Sequence, residues 1–438
     1  MLERVFQITK SHPNEAETLR HNLTAHIFDG VLFAFAMSFV SVQTVLPVFV
    51  ERLGGGTVAI GSIAVLWTLG FNLPQILFLP FTHRAGPALP VMLRYALLYR
   101  LSFGVLGVFT WFFVGRILLP YTIIIVLTLI TMTAISGSLG VSSWFQIFTM
   151  TIPVTIRGRL LALRQMLGSG LGIIAGSIVA IVLSQMDAPK SFAILFFIAF
   201  AVSMASYVFL RRLKESHEID AGEVHLPMHM WRRCVAILRE NRNFRNYLYA
   251  DGLMLMGMTA SAFYAVYGLK KFGLPVSAAG TFTAVTMASM VIANVVFGYL
   301  GDHYGHKLNL ICLALAVAFA SLVAVLSQSA FLYWGVFFFM ACTLALQGIS
   351  RLPLVAEMCV ENERPLYVAI TNTVTAPAVF IGLFAGAMIN VAGYEAVLIG
   401  YSLLGFLAAL LLWKRVEEPR ELGMRNEYGW NLRHISDS

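Results

Sequence analysis

Charge is scarce in this 438-residue chain: 12% of residues are Asp, Glu, Lys or Arg, about half of what a soluble protein carries. Long polar stretches are equally scarce. The longest runs from Arg211 to about Asn246 and leaves no room for a separate soluble core. Cysteine is sparse too, and Cys234, Cys312, Cys342 and Cys359 all fall in apolar runs or on their basic side, which excludes a disulfide framework. The opening MLERVFQITKSHPNEAETLRHNL lacks the apolar core of a secretory signal, so the first apolar run is expected to direct insertion. No HExxH, GxSxG or other paired catalytic constellation is present, and there is no nucleotide-binding domain. The expectation is a protein that is not an enzyme and needs no cofactor.

What is abundant is apolar sequence, 58% of the chain. It comes in runs of about 20 residues or more, the length that crosses a hydrocarbon core of roughly 30 Å. Twelve can be counted, near 27–50, 57–80, 91–113, 121–148, 160–184, 191–210, 247–269, 278–300, 308–327, 330–350, 367–391 and 395–413. This predicts an all-α integral membrane protein of twelve transmembrane helices. The formal net charge of +8 could suggest a nucleic-acid partner. However, apart from Arg52, Arg116, Lys190, Lys270 and Lys271, the basic residues lie in the tails, in alternate loops or at the helix ends facing them. That pattern excludes nucleic acid and places both termini in the cytoplasm, with the bacterial inner (plasma) membrane as the expected location.

The linker RRLKESHEIDAGEVHLPMHMWRRCVAILRENRNFR divides the runs six and six. The expected organisation is an N-terminal segment 1–26, a six-helix bundle 27–210, a linker 211–246, a second bundle 247–413 and a tail 414–438. Trp231, Val235, Leu238 and Phe244 in the linker suit an amphipathic helix on the inner surface. His225, Met228, His229, Met230 and Cys234 could be soft metal ligands, but no acid or second motif completes a set, and no metal is expected. The halves repeat one another. Each first helix carries Asp-Gly, Asp29-Gly30 and Asp251-Gly252; THRAGPALP matches GDHYGHKLN; and VTIRGRLLALRQ matches ENERPLYVAITN, aligning Arg157 with Arg364 and Gln165 with Asn372. Parallel six-helix pseudo-repeats are a transporter architecture.

The stretch GYLGDHYGHK, Gly298 to Lys307, has neither the spacing nor the strand-to-helix setting of a phosphate loop. It resembles the GxLaDRxGRK signature of the major facilitator superfamily: Gly298, Leu300, Gly301, Asp302, Gly305 and Lys307 are in place, with histidines at 303 and 306 where arginines are usual. The first-half copy is degraded, keeping Arg84 and Gly86, with His83 at the acid position. The resemblance covers nearly the whole chain and implies a conformational latch. Asp302 would face Arg157 and Arg159 of the other half, and Arg84 would face Glu361 and Glu363. Such surface pairs are worth under about 1 kcal/mol each when merely exposed.

A charge inside a spanning helix is costly and marks a functional candidate. Arg100 lies deepest, with Arg94 and Arg164 shallower and Asp29 and Asp251 near the inner ends of their helices. No acid occupies the middle of any span, so a structural pair of Asp29 with Arg94 or Arg100 stands beside a role for Arg100 in holding an anion. The resemblance implies that the first, fourth, seventh and tenth helices mainly line the path and that the second, fifth, eighth and eleventh complete its walls, which adds Gln43, Asn72, Gln75, Trp144, Gln165, Tyr264, Gln347 and Asn372 as candidates. The Gly-Pro pair of drug antiporters and the PESPR-type stretch of sugar facilitators are missing. The expected function is secondary active transport of a small solute by a monomer through alternating access, with an anionic metabolite or drug-like compound preferred and a proton among the candidate coupling ions. The rival is a transporter-like receptor that binds without transport.

Overall fold

The structure, a computed structural model, describes residues 13–82, 88–214, 230–360 and 363–420. These are helical nearly throughout. The first half contains α1 (Pro13–Phe39), α2 (Val45–Arg52), α3 (Thr57–Thr82), α4 (Ala88–Phe112), α5 (Leu119–Thr151), α6 (Val154–Gln185) and α7 (Lys190–Leu210). A short α8 (Met230–Glu240) precedes the second half. There α9 (Arg242–Met258), α10 (Ser261–Phe272), α11 (Ala278–Tyr304), α12 (His306–Leu326) and α13 (Ala330–Glu357) lead to α14 (Arg364–Thr375), a 3-10 turn (Ala376–Phe380) and α15 (Ile381–Arg415).

Among the described residues, ten helical stretches are long and apolar enough to cross a membrane. The last, Leu366–Arg415, breaks at Gly393, where φ is 81°. L residues rarely adopt that conformation and glycine adopts it freely, so this stretch supplies two crossings. With α3, whose Thr57–Asn72 part stands as a shorter apolar helix, the chain is a twelve-helix membrane protein in two six-helix repeats.

The first helix of each half is interrupted. α1 gives way to α2 where Ser41 Oγ accepts the Thr44 N–H at 3.2 Å. α9 gives way to α10 at Thr259, whose hydroxyl bonds the Met256 carbonyl at 2.7 Å; back-bonding of this kind bends helices. The eleventh crossing narrows into its 3-10 turn at Pro377, which has no N–H to continue the α-helical ladder.

For orientation, the end of the bundle carrying residues 13, 230 and 420 is the tail end. At the opposite, far end one hydrophobic core unites the halves, with Phe49, Phe192, Phe263 and Phe282 in a single cluster. Thr57 donates to the Gly386 carbonyl and, at 2.9 Å, to Asn390 Oδ1; Thr44 and Thr283 hydroxyls meet at 2.6 Å; Lys270 reaches Glu51 at 3.6 Å. Close approach of α6 and α11 depends on glycine, since a Cβ on Gly176 would stand 2.7 Å from the Ala284 Cβ. Toward the tail end the core divides. Leu23, Phe148 and Ile156 form a cluster within the first half, and Tyr247, Leu310 and Leu354 form one within the second.

Candidate functional site

α1 begins at Pro13, well before the apolar run that marks it in the sequence, because the polar stretch EAETLRHNLTAH continues the helix. Asp29 therefore lies mid-helix in the Glu17–Phe39 stretch, and Asp251 is likewise a full two turns inside α9. Both carboxylates are buried, at 4% and 1% exposure. A buried carboxylate needs a counter-charge and hydrogen-bond donors, and the two halves supply them differently.

In the first half Arg100 on α4 donates from Nη2 to Asp29 Oδ1 at 3.0 Å and to Ser206 Oγ at 2.8 Å, while Ser206 donates to the same carboxylate oxygen at 2.7 Å. Its other nitrogens donate to the Ser203 and Ala96 carbonyls at 2.8 and 3.0 Å. All three nitrogens of Arg100 are thus engaged. Arg164 on α6 reaches Asp29 Oδ2 from Nη2 at 3.4 Å and lies over the Trp144 ring at 5.0 Å, but its buried Nη1 has no partner among the described residues. Gly30 makes room for this approach, because a Cβ there would collide with the Arg164 guanidinium. Two guanidiniums against one carboxylate leave a formal excess of one positive charge. A cavity of about 280 Å³ opens on this cluster, lined by Asp29, Arg100, Arg164, Trp144, Tyr95 and Phe33 among others.

In the second half Arg351 on α13 holds Asp251 in a two-point grip, Nε to Oδ1 and Nη2 to Oδ2, both at 2.8 Å. Nη1 donates to Asn372 Oδ1 at 3.0 Å, and Nη2 also approaches Thr375 Oγ1 at 3.3 Å. Tyr247 adds its hydroxyl to Asp251 at 3.4 Å. The pair is neutral, and each nitrogen of the arginine donates. Arg351 is absent from the sequence-based candidates because the tenth apolar run ends at 350, whereas the helix continues through Pro353 to Glu357. The repeated Asp-Gly was the signal that could have found it, since a second buried acid calls for a second arginine.

At the tail end, the Asp302 side chain is exposed, and among the described residues it makes no ion pair with the first half. Arg157 donates to the Ile152 and Thr149 carbonyls of its own hairpin at 2.8 and 2.6 Å, and Arg159 is exposed. The GYLGDHYGHK loop is instead tied to the segment after α15. Arg420 donates to the Gly301 and Asp302 carbonyls at 3.3 and 3.1 Å and pairs with Glu357 at 2.8 Å; Glu418 accepts the Lys307 backbone N–H at 3.2 Å. Gly305, at φ 87°, passes directly over the Glu418 carboxylate, and a Cβ on Gly301 would stand 2.8 Å from Asn309 Nδ2; Gly298 has open space around it. Glu363 pairs with Arg233 of α8 at 2.6 Å.

The remaining candidates scatter. Trp144 belongs to the Asp29 cavity and Asn372 to the Asp251 cluster. Gln165 bridges to Met290 of the other half at 3.7 Å. Tyr264 is a core residue, bonded to Ser321 at 2.8 Å. Asn72 bonds within its own helix to the Thr68 carbonyl at 2.9 Å, and Gln43 meets Ser41 at 3.5 Å in the interruption after α1. Arg94 is exposed and Gln347 half-buried. His83, Arg84, Gly86, His225, Met228, His229 and Glu361 lie outside the described residues, as does the Gln75 side chain. Among the described residues no three His, Cys, Asp or Glu side chains gather closely enough to hold a metal.

Residues 250–427 match the family model of the Major Facilitator Superfamily. A Na(+), Li(+), K(+)/H(+) antiporter of Planococcus maritimus is 30% identical over 161 residues, 36% of this chain and 38% of that protein; the chain thus aligns with little over a third of that relative's length. The nucleoside transporter NupG superposes with a TM-score of 0.70 at 12% identity, covering 91% of this chain and all of NupG. The xylose transporter XylE from E. coli, in an inward-open conformation, gives 0.67 at 16% identity, covering 93% and 99%. A POT peptide transporter gives 0.65 at 12% identity, covering 89% and 93%. The second half thus resembles the Major Facilitator Superfamily in sequence, and the fold of these solved transporters is shared over about nine-tenths of the chain.

Proposed function

We propose that this protein is a secondary transporter for a small anionic solute, and that the Asp29–Arg100–Arg164 cluster is where the anion is held. The family and fold are those of transporters rather than enzymes. The observation that carries the anionic reading is the unpartnered Nη1 of Arg164 beside a cavity with one more guanidinium than carboxylate. A solute carboxylate or phosphate would accept from Nη1 and neutralise the excess charge, with Trp144 and Tyr95 covering its apolar part. Arg100, with every nitrogen engaged, fixes Asp29 and contributes charge rather than a free donor. At about 280 Å³ the cavity falls just below the range for drug-sized sites, roughly 300–1,000 Å³, which favours a small metabolite over a drug-sized compound. The shared core at the far end and the divided core at the tail end fit one limiting state of an alternating-access cycle, with Asp302 and Arg157 or Arg159 poised to pair in the other.

The antiporter relative supports a second reading, exchange of a monovalent cation for protons. That reading requires Asp29 or Asp251 to release its arginine. Counterflow in proteoliposomes, with panels of carboxylates and phosphates in one arm and sodium or potassium under a pH gradient in the other, separates the two. Anion counterflow that is lost in Arg164→Gln and partly kept in Arg164→Lys is expected. Cation–proton exchange that persists in Arg164→Gln, without anion counterflow, would overturn the anionic reading; a ligand that binds without any counterflow would indicate a receptor.

A further inference from the structure

The glycine of the second Asp-Gly pair has no arginine beside it. A Cβ on Gly252 would meet nothing within 4 Å, and the space there belongs to a groove of about 920 Å³ between α9, the 3-10 turn and the end of α15. Pro377 forms one wall, Tyr249 and Leu411 line the sides, and Arg245 and Arg415 stand at the tail end of the groove. The floor is fixed by Asn246, which donates to the Arg415 carbonyl at 2.8 Å. No carboxylate lines the groove.

Tyr249 and Val374 are exposed at the groove, while the 3-10 turn that forms its wall also packs on α3 of the first half. After Gly393, α15 presents Leu403, Leu407 and Leu410 outward, and Trp413 is 68% exposed, followed directly by Lys414 and Arg415. A row of outward leucines ending in tryptophan and two cations marks the passage from acyl chains to headgroups. The arginines at the groove mouth therefore stand at headgroup level, and the Gly252 side of the groove lies at acyl-chain level. Arg245 uses only Nη1, donating to the Leu238 and Arg239 carbonyls at 2.8 and 3.2 Å. The Arg415 guanidinium has no partner among the described residues.

We infer that this groove is a binding site for an anionic phospholipid, its phosphodiester held between Arg245 and Arg415 and one acyl chain lying along Tyr249, Gly252 and Pro377. A zwitterionic lipid would bring its own cation against two guanidiniums. A free phosphate would gain nothing from the apolar walls. Basic pockets between spanning helices are suited to acidic headgroups.

Native mass spectrometry of the full chain, released from nanodiscs of equimolar phosphatidylglycerol and phosphatidylcholine with identical acyl chains, tests this. Wild type should retain phosphatidylglycerol in preference. Arg415→Gln should reduce that preference about fivefold and the Arg245→Gln/Arg415→Gln pair further, at about 1 kcal/mol per basic residue. Gly252→Leu, which the open space accommodates, should reduce retention of either lipid by filling the groove. Arg415→Gln is decisive even if the double variant folds poorly, because its exposed side chain makes no hydrogen bond or ion pair with the described residues that the substitution would remove. Equal lipid preference in wild type and Arg415→Gln, or undiminished retention in Gly252→Leu, would overturn the site. So would competition by glycerol phosphate at the concentration at which the lipid itself competes, which would reduce the groove to an ion site.

Discussion

The two Asp-Gly pairs occupy the same place in the repeat and have been put to different use. Asp251 is closed off: one arginine, two parallel bonds, and Asn372, Thr375 and Tyr247 completing the shell. Asp29 is left unbalanced, with a second arginine, a spare donor and a cavity. The pairing VTIRGRLLALRQ with ENERPLYVAITN puts Arg164 opposite Thr371, a buried residue that bonds its own helix at the Tyr367 carbonyl. Threonine at this position leaves the second half without a counterpart of Arg164, while the arginine that each half does pair with its acid comes from a different helix, α4 for Arg100 and α13 for Arg351. A neutral, saturated cluster fastens helices; one with an extra cation and an unsatisfied donor is built to accept something.

Removing the acids should give the largest effect. Asp251→Asn strands Arg351 and Asp29→Asn strands two guanidiniums, and breaking a buried pair costs about 3–5 kcal/mol. Thermal unfolding in detergent should show both losses. The comparison is broken open by adding a carboxylate or phosphate to each variant: Asp29→Asn should recover part of its melting temperature and Asp251→Asn none. Equal recovery in both, or in neither, would remove the distinction between the clusters.

Removing one arginine from each side reverses the ranking. Arg351→Gln leaves a buried carboxylate unpaired and should cost about 3–5 kcal/mol. Arg164→Gln leaves the neutral Asp29–Arg100–Ser206 set intact and should change stability by less than about 1 kcal/mol while abolishing anion binding measured by calorimetry. A severe stability loss in Arg164→Gln would show that this arginine is a structural strut.

The glycines sharpen the contrast further. Gly30→Ala should push the Arg164 guanidinium aside and weaken anion binding, whereas Gly252→Ala has open space and should gain up to about 1 kcal/mol from helix propensity in detergent. Melting temperatures moving in opposite directions are the expected readout.

Much of this was legible in the sequence because a membrane imposes simple arithmetic. Twelve runs of sufficient length became twelve crossings, and an intramembrane charge had to be meaningful, which brought Asp29, Arg100 and Arg164 into view, while Trp144 came from the resemblance. Hydropathy could not show where helices extend past their apolar runs. Asp29 therefore looked terminal, and Arg351 fell just outside its span, beyond Ser350 and before Pro353. Partners that carry no charge, such as Ser203 and Ser206 at Arg100, leave no sequence signal at all. Nor does spacing connect GYLGDHYGHK with Glu418 and Arg420, more than a hundred residues away, because that contact depends on how the second half closes on itself.

That last contact gives the smallest predicted effect. Burial raises the Glu418 carboxyl above the ordinary value of 4.5, while Arg420 is raised by its hydrogen bond to Glu357. A carboxyl whose pKa is higher folded than unfolded binds its proton more tightly in the folded protein. Its contribution is therefore most favourable at low pH and declines as pH rises from the ordinary value through the raised one. Wild type should lose a little stability over that window relative to Glu418→Gln, which stays neutral throughout. Hydrogen exchange at the Lys307 amide, which Glu418 accepts from, should report the same window locally. An identical pH profile in the variant would mean that the carboxylate is already charged where it lies beneath Gly305, and that the Arg420 contacts alone hold the loop to the tail.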